Sequence, residues 1–260
     1  MSGSSVRGAL IDVDGVLHVS DQAVPGAPDA LRELRAHGIP FRLLTNTTMR
    51  TRRDLATLLR SIDFDVDDDE VITAGAAAAD YVRRTYPGKS CFLLASGDAR
   101  LEFGGVPLTD GPDAEVVVIG GAGAEFTFAA LNHAFRLLLG GAAFVAMHQS
   151  LYWLTAEGMT LDSGAYLPGL ELAVGRPAEL VGKPAPAFFE AGYRALDLAP
   201  SEVVMVSDSL VQDLLPAAAL GSRTLLVRTG VYRDSDLQFG TPDAILDSIS
   251  ELPEWLASIF

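Results

Sequence analysis

Gly8-Ala-Leu-Ile-Asp12-Val-Asp14-Gly15-Val16-Leu17 is an apolar run that stops abruptly at two carboxylates and a glycine. The run reads as a buried strand, and Asp14-Gly15 as the turn after it. An ionised carboxylate is costly to bury unless something pairs with it. Two of them at the mouth of a strand point to a metal ion, a catalytic role, or both. The plainer reading is a strand stop in which Asp14-Gly15 is only a turn. Side chains at i and i+2 of a strand share one side, so Asp12 and Asp14 face a common space if the extended geometry persists.

The same pattern recurs further along. Phe41-Arg-Leu-Leu-Thr45-Asn46-Thr47-Thr48 is a second strand that ends in hydroxyls and an amide, with a helix expected near Arg50. Ligands of open α/β sheets bind beyond the carboxyl ends of strands, and helix N-termini favour anions there. Thr45 and Asn46 are therefore candidate phosphate ligands, while Thr47 or Thr48 suits a helix cap. Val181-Gly182-Lys183-Pro184 holds a lysine in a constrained turn. Its ammonium can neutralise phosphate charge and orient a carboxylate nucleophile, or be an exposed loop lysine. Val203-Val-Met-Val-Ser207-Asp208 is another apolar run halted by an acid, and Asp213 follows a helical turn later. Asp208 would join Asp12 at one sheet edge. Mg²⁺ takes oxygen ligands in octahedral geometry and keeps several waters, which suits two carboxylates, a backbone carbonyl and a phosphate oxygen. Asp213 reads either as an anchor for waters or Lys183, or as a first-turn helix charge.

Strand signals at 7–13, 40–45, 90–95, 115–120, 142–147, 203–207 and 223–228 alternate with helix signals at 27–37, 50–61, 74–86, 126–139, 185–197 and 211–220. Such alternation predicts a parallel α/β architecture. Residues 76–176 have their own alternation and lie between two sets of candidate site residues. They read as an inserted domain, with 1–75 and 177–260 forming one discontinuous core; a single continuous sheet is the alternative.

With 260 residues, 49% of them hydrophobic and 20% charged, the chain has a globular composition. A net charge of -15 excludes nonspecific binding to nucleic acid or anionic membranes, so a phosphate site must carry its own local positive charge. No apolar run reaches the length of a membrane span. The short polar start lacks a signal-peptide core, and the single cysteine, Cys91, allows no internal disulfide. These features fit a cytoplasmic protein.

Taken together, these motifs resemble the haloacid dehalogenase superfamily of phosphohydrolases. Asp12-Val-Asp14-Gly15-Val16 resembles its first motif, Thr45-Asn46 its second, Lys183 its third, and Asp208 with Asp213 its fourth. The segment between the second and third motifs resembles a type C2 cap on a Rossmann-like core, as in nucleotide and p-nitrophenyl phosphate phosphatases. Leu43-Leu-Thr-Asn-Thr-Thr48, Leu131-Asn-His-Ala-Phe-Arg-Leu-Leu-Leu139 and Val181-Gly-Lys-Pro184 bring it nearest the branch of haloacid dehalogenase-like domain proteins and phospholysine phosphohistidine inorganic pyrophosphate phosphatases. Ser207 departs from the family, which often has glycine there. Asp14 is retained, although relatives in this branch can lack it. The resemblance implies that Asp12 is a nucleophile and Asp14 the general acid and base. It implies that Asp12, Asp208 and the Asp14 carbonyl hold Mg²⁺, and that Thr45, Asn46 and Lys183 bind the phosphoryl group. It also implies a small phosphorylated metabolite as substrate and a homodimer formed through the cap.

Substrate choice is expected in the cap. His148-Gln149-Ser-Leu-Tyr152-Trp153 follows an apolar run ending at Met147, which makes His148, Gln149 and Trp153 specificity candidates. Tyr152 and Trp153 also suit ordinary cap core, and His148 a structural role. Two other classes compete. Val116-Val-Val-Ile-Gly120-Gly121-Ala-Gly123 partly matches a dinucleotide loop, without its third glycine. A catalytically weak binding or regulatory protein on the same fold is the other.

Overall fold

The computed structural model describes residues 6–155 and 158–259. The chain begins with β1 (Gly8–Asp12), the short hairpin β2 (His18–Val19) and β3 (Gln22–Ala23), α1 (Ala27–Ala36), β4 (Phe41–Thr45), α2 (Arg52–Ser61) and β5 (Val71–Thr73). It continues through α3 (Ala74–Thr85), β6 (Cys91–Leu94), β7 (Val116–Ile119), α4 (Phe128–Leu139), β8 (Ala143–Ala146), the hairpin β9 (Tyr152–Thr155) and β10 (Gly158–Leu161), α5 (Leu167–Val174) and β11 (Glu179–Leu180). It closes with α6 (Pro186–Leu196), β12 (Val203–Ser207), α7 (Leu215–Ala219), β13 (Arg223–Val227), β14 (Ala244–Leu246) and α8 (Leu252–Ile259). No helix of the described residues is long and apolar enough to cross a membrane.

The chain divides into two units. The first comprises residues up to Thr45, Arg52–Ile72 and those from Lys183 onward. Its six-stranded sheet runs β14-β13-β12-β1-β4-β5. β1 is buried along its whole length and pairs in parallel with β12 and β4. From β1 the chain steps to β4 on one side; from β12 it steps to β13 on the other. Strand order therefore reverses between β1 and β12, the place where open α/β sheets bind ligands. Ile11 stands beside Val206, and the two strands then end at Asp12 and Ser207.

One apolar layer fixes that edge. α1 buries Ala27, Ala30, Leu31 and Leu34, the three-and-four spacing of a one-sided helix. Ala27, Leu31 and Leu34 pack with Phe41, Leu43, Leu59, Val206, Leu225 and Leu252 in one core cluster. Each fully buried large apolar side chain contributes about 2 kcal/mol by transfer from water. Pro28 in the first turn and Gly38 at φ +69 just past the end set the limits of α1.

The second unit comprises Asn46–Thr51 and Thr73–Gly182. Its four-stranded parallel sheet, β11-β8-β7-β6, buries Phe92, Val117, Ile119, Phe144 and, from α4, Leu138. Thr127 caps α4 by accepting the Ala130 N–H at 3.1 Å. That cap is why a helix expected from 126 begins at Phe128. The helix expected near Arg50 begins at Arg52, which leaves Thr47 and Thr48 outside its capping position. The segment 211–220 is not one helix. A π-type turn over Leu210–Leu214 precedes α7, because Pro216 is tolerated only in a first turn.

Candidate active site

In the first unit, β1 ends at Asp12, β4 at Thr45 and β12 at Ser207, with Asp208 next. The Asp12 carboxylate is buried, and its Oδ1 accepts the Val13 N–H at 2.8 Å and the Lys183 ammonium at 2.8 Å. Lys183 is only 6% exposed and lies 3.1 Å from Asp213 as well. It is thus no surface loop lysine, for it sits between two buried acids. Burial alone would lower its proton affinity, but the charges of Asp12 and Asp213 more than reverse that and hold it protonated.

Asp213 reaches this point from the π-type turn, an irregularity common at functional sites. Burial, with Asp12 adding repulsion, pushes its carboxyl up to about 7 against the pull of Lys183. Ser207 lies between the acids. Its hydroxyl is 2.6 Å from Asp213 Oδ2 and 3.3 Å from Asp12 Oδ2, and it accepts the Ser209 N–H at 3.0 Å. A hydroxyl has a single proton to donate, and the shorter contact assigns it to Asp213.

Asp208 is gripped by two loops. The Val231 N–H donates to its Oδ2 at 2.7 Å. Gly15, at φ +83, and Gly230, at φ +68, press against the same oxygen, and a Cβ at either position would collide with it. Burial, then the nearby charge of Asp12, pushes the Asp208 carboxyl up to about 6 despite the Val231 bond. Gly230 and Val231 were not picked out in the sequence. The signal was there, since Leu225-Leu-Val-Arg-Thr-Gly230 is an apolar run closed by a glycine, but it ends in no acid.

Asp14 differs from its neighbour. Its side chain is 71% exposed, and its Oδ2 accepts the Thr45 hydroxyl at 3.1 Å. Thr45, expected as a phosphate ligand, is buried against that acid. Asn46 falls in the second unit, where its Oδ1 closes off the Cβ position of Gly182 at 2.8 Å. Of the cap candidates, His148 is 2% exposed; its Nδ1 accepts the Ser150 N–H at 3.2 Å and its Nε2 lies 3.8 Å from Asp162. Gln149 is exposed. Trp153 lies on β9 opposite Thr160, and its side chain falls outside the described residues.

The donor set fits Mg²⁺. Asp12, Asp208 and Asp213 oppose a single ammonium, which leaves an excess of negative charge when all are ionised. A dication at Asp12 and Asp208 would relieve it. Among the described residues no three His, Cys, Asp or Glu side chains form a metal cage. Two carboxylates completed by a backbone carbonyl and waters suit a hard ion that keeps much of its hydration.

Residues 9–109 match a family model described as haloacid dehalogenase-like hydrolase, and residues 180–252 match one described as HAD-hydrolase-like. A Rattus norvegicus protein named haloacid dehalogenase-like hydrolase domain-containing protein 2 is 40% identical over 233 residues, covering 89% of this chain and 87% of that one. A Xenopus laevis phospholysine phosphohistidine inorganic pyrophosphate phosphatase is 34% identical over 240 residues, covering 90% and 87%. Among solved structures, a p-nitrophenyl phosphatase from Archaeoglobus fulgidus superposes with a TM-score of 0.89 at 26% identity, covering 96% of this chain and 99% of that one.

Proposed function

The chain belongs to the haloacid dehalogenase-like hydrolases, with a Rossmann-like core and a type C2 cap, and is a phosphatase; on that premise we propose that it hydrolyses small phosphorylated metabolites with Mg²⁺, through an aspartyl-phosphate on Asp12. The observation that carries this reading is the setting of Asp12. It is a buried carboxylate at a topological switch point, fixed by the Val13 N–H and Lys183, with Asp208 as a second acid close by.

Phosphate-monoester hydrolysis has one of the highest uncatalysed barriers known, so positioning and charge stabilisation dominate the catalytic task. In the first half-reaction an Asp12 oxygen bonds to phosphorus as the ester P–O bond breaks, and Asp14 gives its proton to the departing oxygen. In the second, Asp14 takes a proton from water as that water attacks the phosphorus and releases Asp12. Lys183 holds Asp12 in place and offsets charge on the transferring oxygens. Bound through Asp12, Asp208 and the Asp14 carbonyl, Mg²⁺ would supply the remaining charge neutralisation. Thr45 and Asn46 are the further phosphate donors of this reading. Gln149 and Trp153 are its specificity positions, and His148 orders the turn that carries Gln149.

The test is Asp12→Asn assayed on p-nitrophenyl phosphate with Mg²⁺. The expected outcome is a fall in kcat of at least about a thousandfold with the far-UV circular dichroism spectrum of the folded parent retained. Turnover within tenfold of the parent rejects the nucleophile. A panel including pyrophosphate and phospho-amino acids then ranks substrates, since the Xenopus relative is named for pyrophosphate, phospholysine and phosphohistidine.

A further inference from the structure

We propose that His18 is a positioning residue for Asp14, holding its carboxylate in the orientation that transfers the proton to the leaving group. The proposal rests on Asp14 being the general acid.

His18 is 5% exposed, an unusual burial for a side chain with two polar nitrogens. Neither ring nitrogen has a hydrogen-bond partner among the described residues. Buried polar atoms in this state are costly, so the arrangement calls for a reason. The acceptor that answers it is Asp14 Oδ1, 3.6 Å from His18 Nε2. That spacing is just beyond hydrogen-bond reach. The Asp14 side chain is 71% exposed, whereas the imidazole is buried.

The backbone is built to bring the two together. Ser20 and Asp21 both take positive φ, 50° and 58°, as the tight turn between β2 and β3 requires. The hairpin folds back so that the His18 carbonyl accepts the Gly15 N–H at 2.8 Å, and Asp14 and His18 form an isolated bridge. The His18 ring therefore reaches Asp14 from a fixed base. From the other side, the Thr45 hydroxyl donates to Asp14 Oδ2 at 3.1 Å. Asp14 is thus bonded to Thr45 at one oxygen and faces His18 across 3.6 Å at the other.

Thr45 has one proton to give and is also a phosphate donor, so the His18 N–H is the donor that favours the carboxylate remaining once Asp14 has given up its proton. A neutral imidazole with its hydrogen on Nε2 is sufficient, and no change in the charge of His18 is needed. The benefit scales with how much protonation the leaving group requires. It is large for phenol and small for p-nitrophenol, which departs readily as its anion.

The experiment compares phenyl phosphate with p-nitrophenyl phosphate in the 260-residue chain with Mg²⁺. His18→Phe is expected to lower kcat/KM, which reports only the steps up to departure of the leaving group, about tenfold on phenyl phosphate, a fraction of what general acid catalysis supplies, and to leave that on p-nitrophenyl phosphate within about twofold. His18→Leu provides a second donor-free variant should the first fail to fold. His18→Gln, which keeps an N–H, is expected to recover most of the phenyl phosphate rate. Equal losses on both substrates, a larger loss on p-nitrophenyl phosphate, or no loss on either overturns the proposal. Asp14→Asn is the separate control. If it hydrolyses phenyl phosphate at the parental rate, the general-acid reading itself fails, whatever His18 does.

Discussion

Asp208 and Asp162 each stand one residue past the end of a strand, β12 in one unit and β10 in the other, and they are held in opposite ways. Asp162 Oδ1 accepts the N–H groups of Ala122 at 2.9 Å and Ser163 at 2.7 Å, and its other oxygen faces His148. Burial, against the pull of Asp162, lowers the His148 pKa, so that ring is neutral at pH 7 and with its partner ties together the ends of the β9–β10 hairpin. Asp208 receives the Val231 N–H, is pressed by two glycines, and shares its surroundings with Asp12. An acid satisfied by backbone donors is architecture. An acid crowded by other acids stores electrostatic cost, and a bound cation recovers it.

That contrast fails if removing Asp162 does little. Asp162→Ala strips the acceptor from two buried N–H groups, which should cost about 2–3 kcal/mol. In a chain of this size that is a fall in melting temperature of roughly 5–10 °C, read by calorimetry. Because the loss is structural, the rise in melting temperature that Mg²⁺ gives the parent should persist in the variant. A fall no larger than that of an ordinary surface substitution would remove Asp162 from its tying role.

At Asp208 the expected sign is the reverse. Its folded pKa, about 6, lies above the unfolded value of 3.8. The folded state therefore holds a proton that the unfolded chain has released. Its contribution to stability is fully present below the unfolded pKa and is lost as pH rises through about 6. In chelator, Asp208→Asn should match the parent near pH 4 and exceed it by on the order of 2 kcal/mol above pH 6. Mg²⁺ should narrow the gap by stabilising the parent alone. Denaturant unfolding at several pH values measures this. A variant less stable than the parent at pH 7 without metal would sink the crowding argument.

Much of this site could be read from the sequence because the chemistry sits at strand ends. Asp12, Thr45 and Asp208 each follow or close an apolar run, and such runs fold as strands largely irrespective of context; Lys183 was legible instead from its constrained Gly-Lys-Pro turn. What escaped notice depends on partners distant in sequence. β2 and β3 have two residues each, too few for a period of two to show, so the hairpin that carries His18 left no pattern. Gly230 grips a carboxylate supplied by a different strand end. Gly120-Gly121-Ala-Gly123 illustrates the opposite error. Its glycines admit Met147, Thr48 and Ser96, and the Ala122 N–H is given to Asp162. Close packing within the second unit accounts for a motif that local sequence also allows as a dinucleotide loop.

Ser207 gives the finest test, since its hydroxyl stands between two acids of the site. Its proton goes to Asp213 at 2.6 Å, while its oxygen faces Asp12 at 3.3 Å. Ser207→Ala removes a donor to a buried carboxylate that Lys183 still serves at 3.1 Å. The net loss should be about 1 kcal/mol or less, smaller than for Asp162→Ala, with kcat on p-nitrophenyl phosphate changed by no more than a few-fold. The informative readout is the direction of the Mg²⁺ response. If the hydroxyl serves only to neutralise Asp213, Mg²⁺ affinity measured by titration calorimetry should hold or tighten, because the acids around Asp12 become more repulsive toward one another and gain more from a cation. A clear weakening would mean instead that Ser207 orients Asp12 for the metal, and that this residue belongs with the groups that hold the ion.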